Sequence, residues 1–140
     1  MLCIAVIFAG LAFFVILFVT VGIRALGWEL YSEEEYVFAR LEEISWPALL
    51  VTVNILPIFE EWIFRGILLE EAARRSRSRA AGVLISALIF GVFHLSNPGT
   101  YLALAIPLVA GGVLLGICYL LSGLAGAIVM HCIYNTLLVI

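Results

Sequence analysis

An all-α, polytopic transmembrane helical bundle is the fold class this sequence predicts, and three observations predict it. Of the 140 residues, 65% are apolar and only 12% charged, against roughly 25% charged in soluble domains. The mean hydropathy is +1.22. Uncharged or nearly uncharged runs of spanning length recur along the chain, separated by short turns. The pattern predicts about five membrane-spanning helices plus an interfacial amphipathic helix. The ten acidic residues are all Glu and the seven basic ones all Arg, for a net charge of −3. No basic face is interleaved with aromatics, so membrane lipid is an expected partner and nucleic acid is not. Cys3, Cys118 and Cys132 sit in apolar runs without paired spacing and read as small hydrophobes, not as a disulfide or zinc framework.

The run from Leu2 to Ile23 carries no charge. It has no basic leading region and no small-residue cleavage site, and it is long enough to cross a ~30 Å hydrocarbon core. A retained transmembrane helix is expected. Between Arg24 and Ser45 comes the only long polar stretch. There Leu30, Val37, Leu41 and Ile44 follow helical spacing, with Glu33, Glu34, Glu35, Glu42 and Glu43 largely elsewhere around the wheel. This predicts an amphipathic helix along the membrane surface, its acidic run a solvated face.

A second spanning helix should begin at Ser45-Trp46-Pro47, where Ser can cap and Pro suits the first turn, and run to about Ala73. Pro57 cannot donate to the Val53 carbonyl, so this helix should kink or loosen one turn before Glu60. Arg74, Arg75, Arg77 and Arg79 form a basic turn, which the positive-inside rule assigns to the cytoplasm together with the N-terminus. The third helix covers about Ala80 to Ser96 and ends at the turn signal Asn97-Pro98-Gly99. The fourth runs from about Tyr101 to Leu121 with a Gly112/Gly116 pair that permits close helix contact. Ser122-Gly123 breaks the chain before a fifth helix, Leu124 to Ile140.

Within the second helix, Glu60, Glu61 and Arg65 put three charges at membrane depth. Each costs roughly 2.5–3.5 kcal/mol to insert near the bilayer centre, so partners or a wet cavity are required. Glu61 and Arg65 are spaced i,i+4 and can form an internal ion pair, leaving Glu60, rotated by about 100°, to face elsewhere. The helical rise puts Glu60 about 21 Å from Arg74, and His94 about 22 Å from Arg79 on the returning helix. On the fifth helix, His131 and Asn135 share a face about 12 and 18 Å from Gly123. The four polar residues can therefore occupy one layer. Phe90, one turn before His94, would wall it, and Ala87 with Gly91 would let a neighbouring helix approach.

A carboxylate and an imidazole around a water can generate a nucleophile, either by proton transfer to Glu60 with His94 orienting the water or by way of a metal. His131 and Asn135 are donors suited to a developing oxyanion. The set points to amide hydrolysis in or near the membrane. A non-catalytic membrane immunity or scaffold protein of the same fold, or a proton- or ion-handling transport subunit, are the alternatives.

Glu60-Glu61-x-x-x-Arg65, Phe90-x-x-x-His94 and His131-x-x-x-Asn135, in this order and spacing, resemble the three motifs of the CAAX protease and bacteriocin-processing (CPBP, Abi) intramembrane protease family, related to the type II CAAX prenyl endopeptidases. The resemblance covers about residues 46–140. The run His94-Leu95-Ser96-Asn97-Pro98-Gly99 is similar to bacterial members, which implies a bacterial cell membrane. It implies a four-helix protease core over 46–140, preceded by a transmembrane helix and acidic interfacial segment over 1–45. It further implies an endopeptidase acting on a membrane-associated or lipidated peptide or protein. In that scheme Glu60 and His94 activate water, His131 and Asn135 form the oxyanion hole, and Glu61 and Arg65 support the site. The family is described both as metalloproteases and as metal-independent glutamate proteases. If a divalent metal such as zinc takes part, its ligands would be Glu60, His94 and His131.

Overall fold

The structure, a computed structural model, describes residues 1–36 and 44–139. These residues are 84% helical, with no strand among them. Among the described residues, four helices are long and apolar enough to cross a membrane: Leu2–Ala25, Trp46–Ser76, Arg79–Ser96 and Leu102–Val139. The last is broken at Gly123, where φ 76° and ψ −176° are open to glycine and strained for other residues. Leu115 and Met130 meet in one buried cluster, whereas on a straight helix they would lie about 22 Å apart. The chain therefore folds back at Gly123, as the Ser122-Gly123 signal predicts. We number the spanning helices α1 (Leu2–Ala25), α2 (Trp46–Ser76), α3 (Arg79–Phe93, with a tighter last turn His94–Ser96), α4 (105–122) and α5 (124–139). Large apolar side chains such as Phe14, Phe18 and Leu102 remain 69–80% exposed on the outside, as expected of a surface facing lipid.

Small residues bring the helices together. On α1, Ala5, Ala9 and Ala12 are fully buried against Leu115, Cys118 and Met130 of the α4–α5 hairpin. The two small-residue faces expected on α3 and α4 meet each other. A Cβ on Gly112 would stand 3.0 Å from the Ala87 Cα, and one on Gly91 2.5 Å from Val109 Cγ2 and 3.0 Å from the Ala105 carbonyl oxygen. Gly91→Leu is accordingly expected to destabilise the bundle by about 1–3 kcal/mol through overpacking, read as a lowered thermal midpoint in detergent.

Helix α2 is not a uniform α-helix. Its backbone widens to π-helical turns at Val51–Ile55 and again at Trp62–Leu69, on either side of an α-helical turn, Leu56–Glu61, that carries Pro57 and Glu60. The first widening surrounds Val53, the residue whose carbonyl Pro57 cannot satisfy, and is the loosening the sequence predicts. The second has no proline to announce it. There the buried Ser86 hydroxyl of α3 donates to the Phe64 carbonyl at 2.6 Å.

The interfacial amphipathic helix expected over 24–45 is corrected in its described part. Leu26 and Gly27, the latter at φ 78°, end α1, and no helix follows through residue 36. Instead, Leu30–Ser32 runs beside the 99–101 turn: Ser32 N–H donates to the Gly99 carbonyl at 2.7 Å and Tyr101 N–H to the Leu30 carbonyl at 2.9 Å. Backbone groups that a helix would pair internally are satisfied by the loop after α3. Gly99, at φ +72°, permits this because a Cβ there would strike the Glu35 Cβ at 2.6 Å and the Glu35–Tyr36 backbone at 2.7–2.9 Å. Leu30 is buried, the rings of Tyr31 and Tyr36 stack at 4.8 Å, and Glu33, Glu34 and Glu35 remain exposed. Val37, Leu41 and the other residues of 37–43 lie outside the described residues.

Candidate active site

The expected polar layer forms around a cavity of about 450 Å³, lined by Glu60 from α2, Phe90 and His94 from α3, and His131 and Asn135 from α5. Each motif reaches it for a local reason. Glu60 sits in the α-helical turn between the two widened stretches, where its side chain keeps 25% of its exposure. His94 stands where α3 tightens into its last turn. Its Nδ1 lies 2.8 Å from the Phe90 carbonyl. A carbonyl can only accept, so Nδ1 carries a proton, and in the neutral form of the ring the lone pair is on Nε2. His131 and Asn135, four residues apart on α5, face the same space, and the Asn135 amide makes no hydrogen bond to any described residue.

Glu61 and Arg65 meet as their i,i+4 spacing predicts, with Arg65 Nη1 donating to Glu61 Oε1 at 2.9 Å and neither side chain exposed. The pair also reaches across the bundle. Arg65 Nη2 donates to the Gly112 carbonyl of α4 at 3.1 Å, and the guanidinium lies 4.6 Å from the centre of the Phe90 ring. Because one nitrogen of the fork goes to α4, the ion pair is not bidentate. Glu61 Oε2 and Arg65 Nε are left buried without a partner among the described residues.

Sequence spacing does not reveal a second contact of Glu61. His131 Nδ1 donates to Glu61 Oε1 at 2.7 Å, while its Nε2 faces Glu60 Oε2 at 3.7 Å. The carboxylate of Glu61 thus fixes the ring orientation of His131, which is 5% exposed. With Nδ1 committed, Nε2 donates only when the ring carries both protons. Phe90 walls the site as expected, its ring centre 4.4 Å from that of His94 and 6.0 Å from that of His131. Cys132 donates from Sγ to the Asn54 carbonyl at 3.5 Å, away from this arrangement.

Three tyrosines complete the cavity wall and were not singled out by sequence: Tyr31, Tyr36 and Tyr134. The position of Tyr134, three residues after His131, was a usable signal. The stacked pair Tyr31–Tyr36 had none, because it depends on contact with the 99–101 turn. Burial, with Tyr31 beside it, raises the Tyr36 phenol above the usual tyrosine range, so it stays neutral.

Among the described residues no three His, Cys, Asp or Glu side chains are arranged to hold a metal ion. Glu60 and His131 approach one another at 3.7 Å, but together with His94 they do not form such a group. The donors fit a three-ligand zinc site in type but not in arrangement.

Residues 42–137 match the family model described as type II CAAX prenyl endopeptidase Rce1-like. No curated protein and no solved structure matches the chain.

Proposed function

This chain belongs to the type II CAAX prenyl endopeptidase Rce1-like family, and from that premise we propose that it is an intramembrane endopeptidase. Its substrate is a membrane-associated or lipidated peptide or protein, and residues 46–140 are its protease core. The carrying observation is that Glu60, His94, His131 and Asn135, from three helices, line one cavity at membrane depth.

A water between Glu60 and His94 is the nucleophile. Glu60 takes its proton, and the lone pair on His94 Nε2 accepts a hydrogen bond that orients the attacking oxygen. As the scissile carbonyl becomes tetrahedral, the Asn135 amide and His131 Nε2–H donate to the oxyanion. In that role His131 carries both ring protons, and Glu61, bonded to Nδ1, is the counter-charge that keeps it oriented. Glu61 acts as a positioning residue through His131. The apolar wall contributed by Leu56, Leu104 and Leu108 suits an apolar substrate segment, and the exposed apolar faces of the helices set the whole in a membrane, proposed to be bacterial.

The purified protein in liposomes, offered prenylated and unprenylated peptides, tests this reading. Cleavage is expected, and it should persist in a strong chelator; loss of activity that returns with added metal would reverse the metal-free scheme. Asn135→Ala should lower kcat by about 10²–10³-fold by removing an oxyanion donor, with little change in KM. No cleavage of any peptide by protein with an intact fold would overturn the assignment.

A further inference from the structure

A second recess, separate from the cavity just described, lies at the opposite end of α2. It measures about 750 Å³ and is lined by Gly66 and Ile67 along the helix, by Glu70 and Glu71 beyond them, and by Arg74, Arg77 and Arg79 at its end. From this recess we infer a binding site for the headgroup of an anionic phospholipid, a reading independent of the protease assignment.

Charge comes first. The turn between α2 and α3 and the last turns of α2 carry Glu70, Glu71, Arg74, Arg75, Arg77 and Arg79. Both carboxylates are already engaged. Arg74 and Arg75 donate to Glu71 at 2.5–2.9 Å; Arg79 and the Tyr119 hydroxyl of α4 donate to Glu70 at 2.6 and 2.9 Å. The acids hold the arginines in place without cancelling them, since four guanidiniums face two carboxylates. Arg77 alone of the four has no ion pair or side-chain hydrogen bond among the described residues.

Backbone conformation singles out the same residue. Arg77 ends α2 at φ 55°, ψ 28°, a left-handed conformation and the only positive φ outside glycine among the described residues. Helices commonly end in this conformation with glycine, which adopts it without steric cost. Arginine bears that cost here, at a residue that lines the recess. Strain of this kind points to a functional constraint at the position.

Shape decides between a free anion and a lipid. Ile67 lies ten residues before Arg77, about 15 Å along the helix at its ordinary rise, and is 52% exposed. The recess therefore runs from an apolar floor at membrane depth to a cationic mouth at the helix end. A free phosphate would use only the mouth, whereas a phospholipid fills both parts, its acyl chain along Gly66 and Ile67 and its phosphate at the arginines. Arginine forks suit phosphate oxygens.

The test follows thermal unfolding of the full chain in neutral detergent during titration with phosphatidylglycerol, with phosphatidylcholine of the same acyl chains, or with inorganic phosphate. Phosphatidylglycerol is expected to raise the midpoint saturably and less so at high salt; the other two should not. Arg77→Gly removes the guanidinium while relieving the backbone, so its fold should be at least as stable. Its half-saturating phosphatidylglycerol concentration should rise about fivefold, the share of one arginine near an anionic surface. Arg24→Ala, at the other end of the bundle, should leave that concentration unchanged. Equal shifts with both lipids, a full shift with inorganic phosphate, or unaltered phosphatidylglycerol binding by Arg77→Gly would each overturn the site.

Discussion

Glu60→Gln is expected to lower peptide cleavage by about 10²–10⁴-fold, the range a positioned general base contributes, while leaving the protein folded. Glutamine keeps the volume and one acceptor oxygen but cannot take a proton from water. The substitution is mild for the fold, because the Glu60 side chain is 25% exposed and its nearest ion-pairing atom among the described residues, His131 Nε2, is 3.7 Å away. The measurement is single-turnover cleavage in liposomes, with unfolding midpoint and helical content recorded on the same preparation. Cys132→Ser is the matched control. Its thiol is turned to the Asn54 carbonyl, so the rate should not change. Undiminished cleavage by Glu60→Gln would remove Glu60 from the chemistry. Unchanged biological function without any cleavage would favour a scaffold role for the same fold.

What could be read in advance divides along a physical line. Features set within one helical turn were legible. The i,i+4 spacing of Glu61 and Arg65 announces their ion pair, Pro57 announces the widened backbone before Glu60, and Ser122-Gly123 announces the reversal into α5. Depth along a helix was legible too, since the widened turns of α2 change the rise per residue only modestly, and it placed Glu60, His94, His131 and Asn135 in one layer, where they line one cavity. Features that arise when distant segments meet were not. The bond from His131 to Glu61 joins residues 70 apart in the chain, and rise per residue fixes depth but not the rotation that selects Glu61 over Glu60. The stretch 26–36 failed for a related reason. Of the helical spacing read over Leu30, Val37, Leu41 and Ile44, only Leu30 lies within it, and the backbone of the stretch finds partners at Gly99 and Tyr101 that no local pattern could reveal. The second widening of α2, at Trp62–Leu69, also depends on a neighbour, the Ser86 hydroxyl that accommodates the Phe64 carbonyl.

Arg65→Ala should be the most damaging single change to the fold. It leaves Glu61, which has no exposure, without its guanidinium and frees the Gly112 carbonyl that Arg65 binds on α4. Breaking a buried pair from one side costs about 3–5 kcal/mol, and loss of the packing on Phe90 adds to it. A steep fall in the unfolding midpoint and in the yield of folded protein is expected. Arg65→Lys should rescue only in part, because a single ammonium cannot reach both Glu61 and the α4 carbonyl in the fork geometry that Arg65 uses. The double variant Glu61→Leu/Arg65→Met separates structure from chemistry. Replacing both charges with apolar groups of similar size removes the uncompensated carboxylate, and such replacements are often neutral or stabilising, so much of the lost stability should return. Activity should not return with it, because Nδ1 of His131 then has no carboxylate to orient it or to balance its second proton. A double variant as stable as the parent yet inactive would establish Glu61 as the positioning group for His131. Recovery of cleavage together with stability would reduce the pair to scaffold and leave His131 to be oriented by its packing on Phe90 alone.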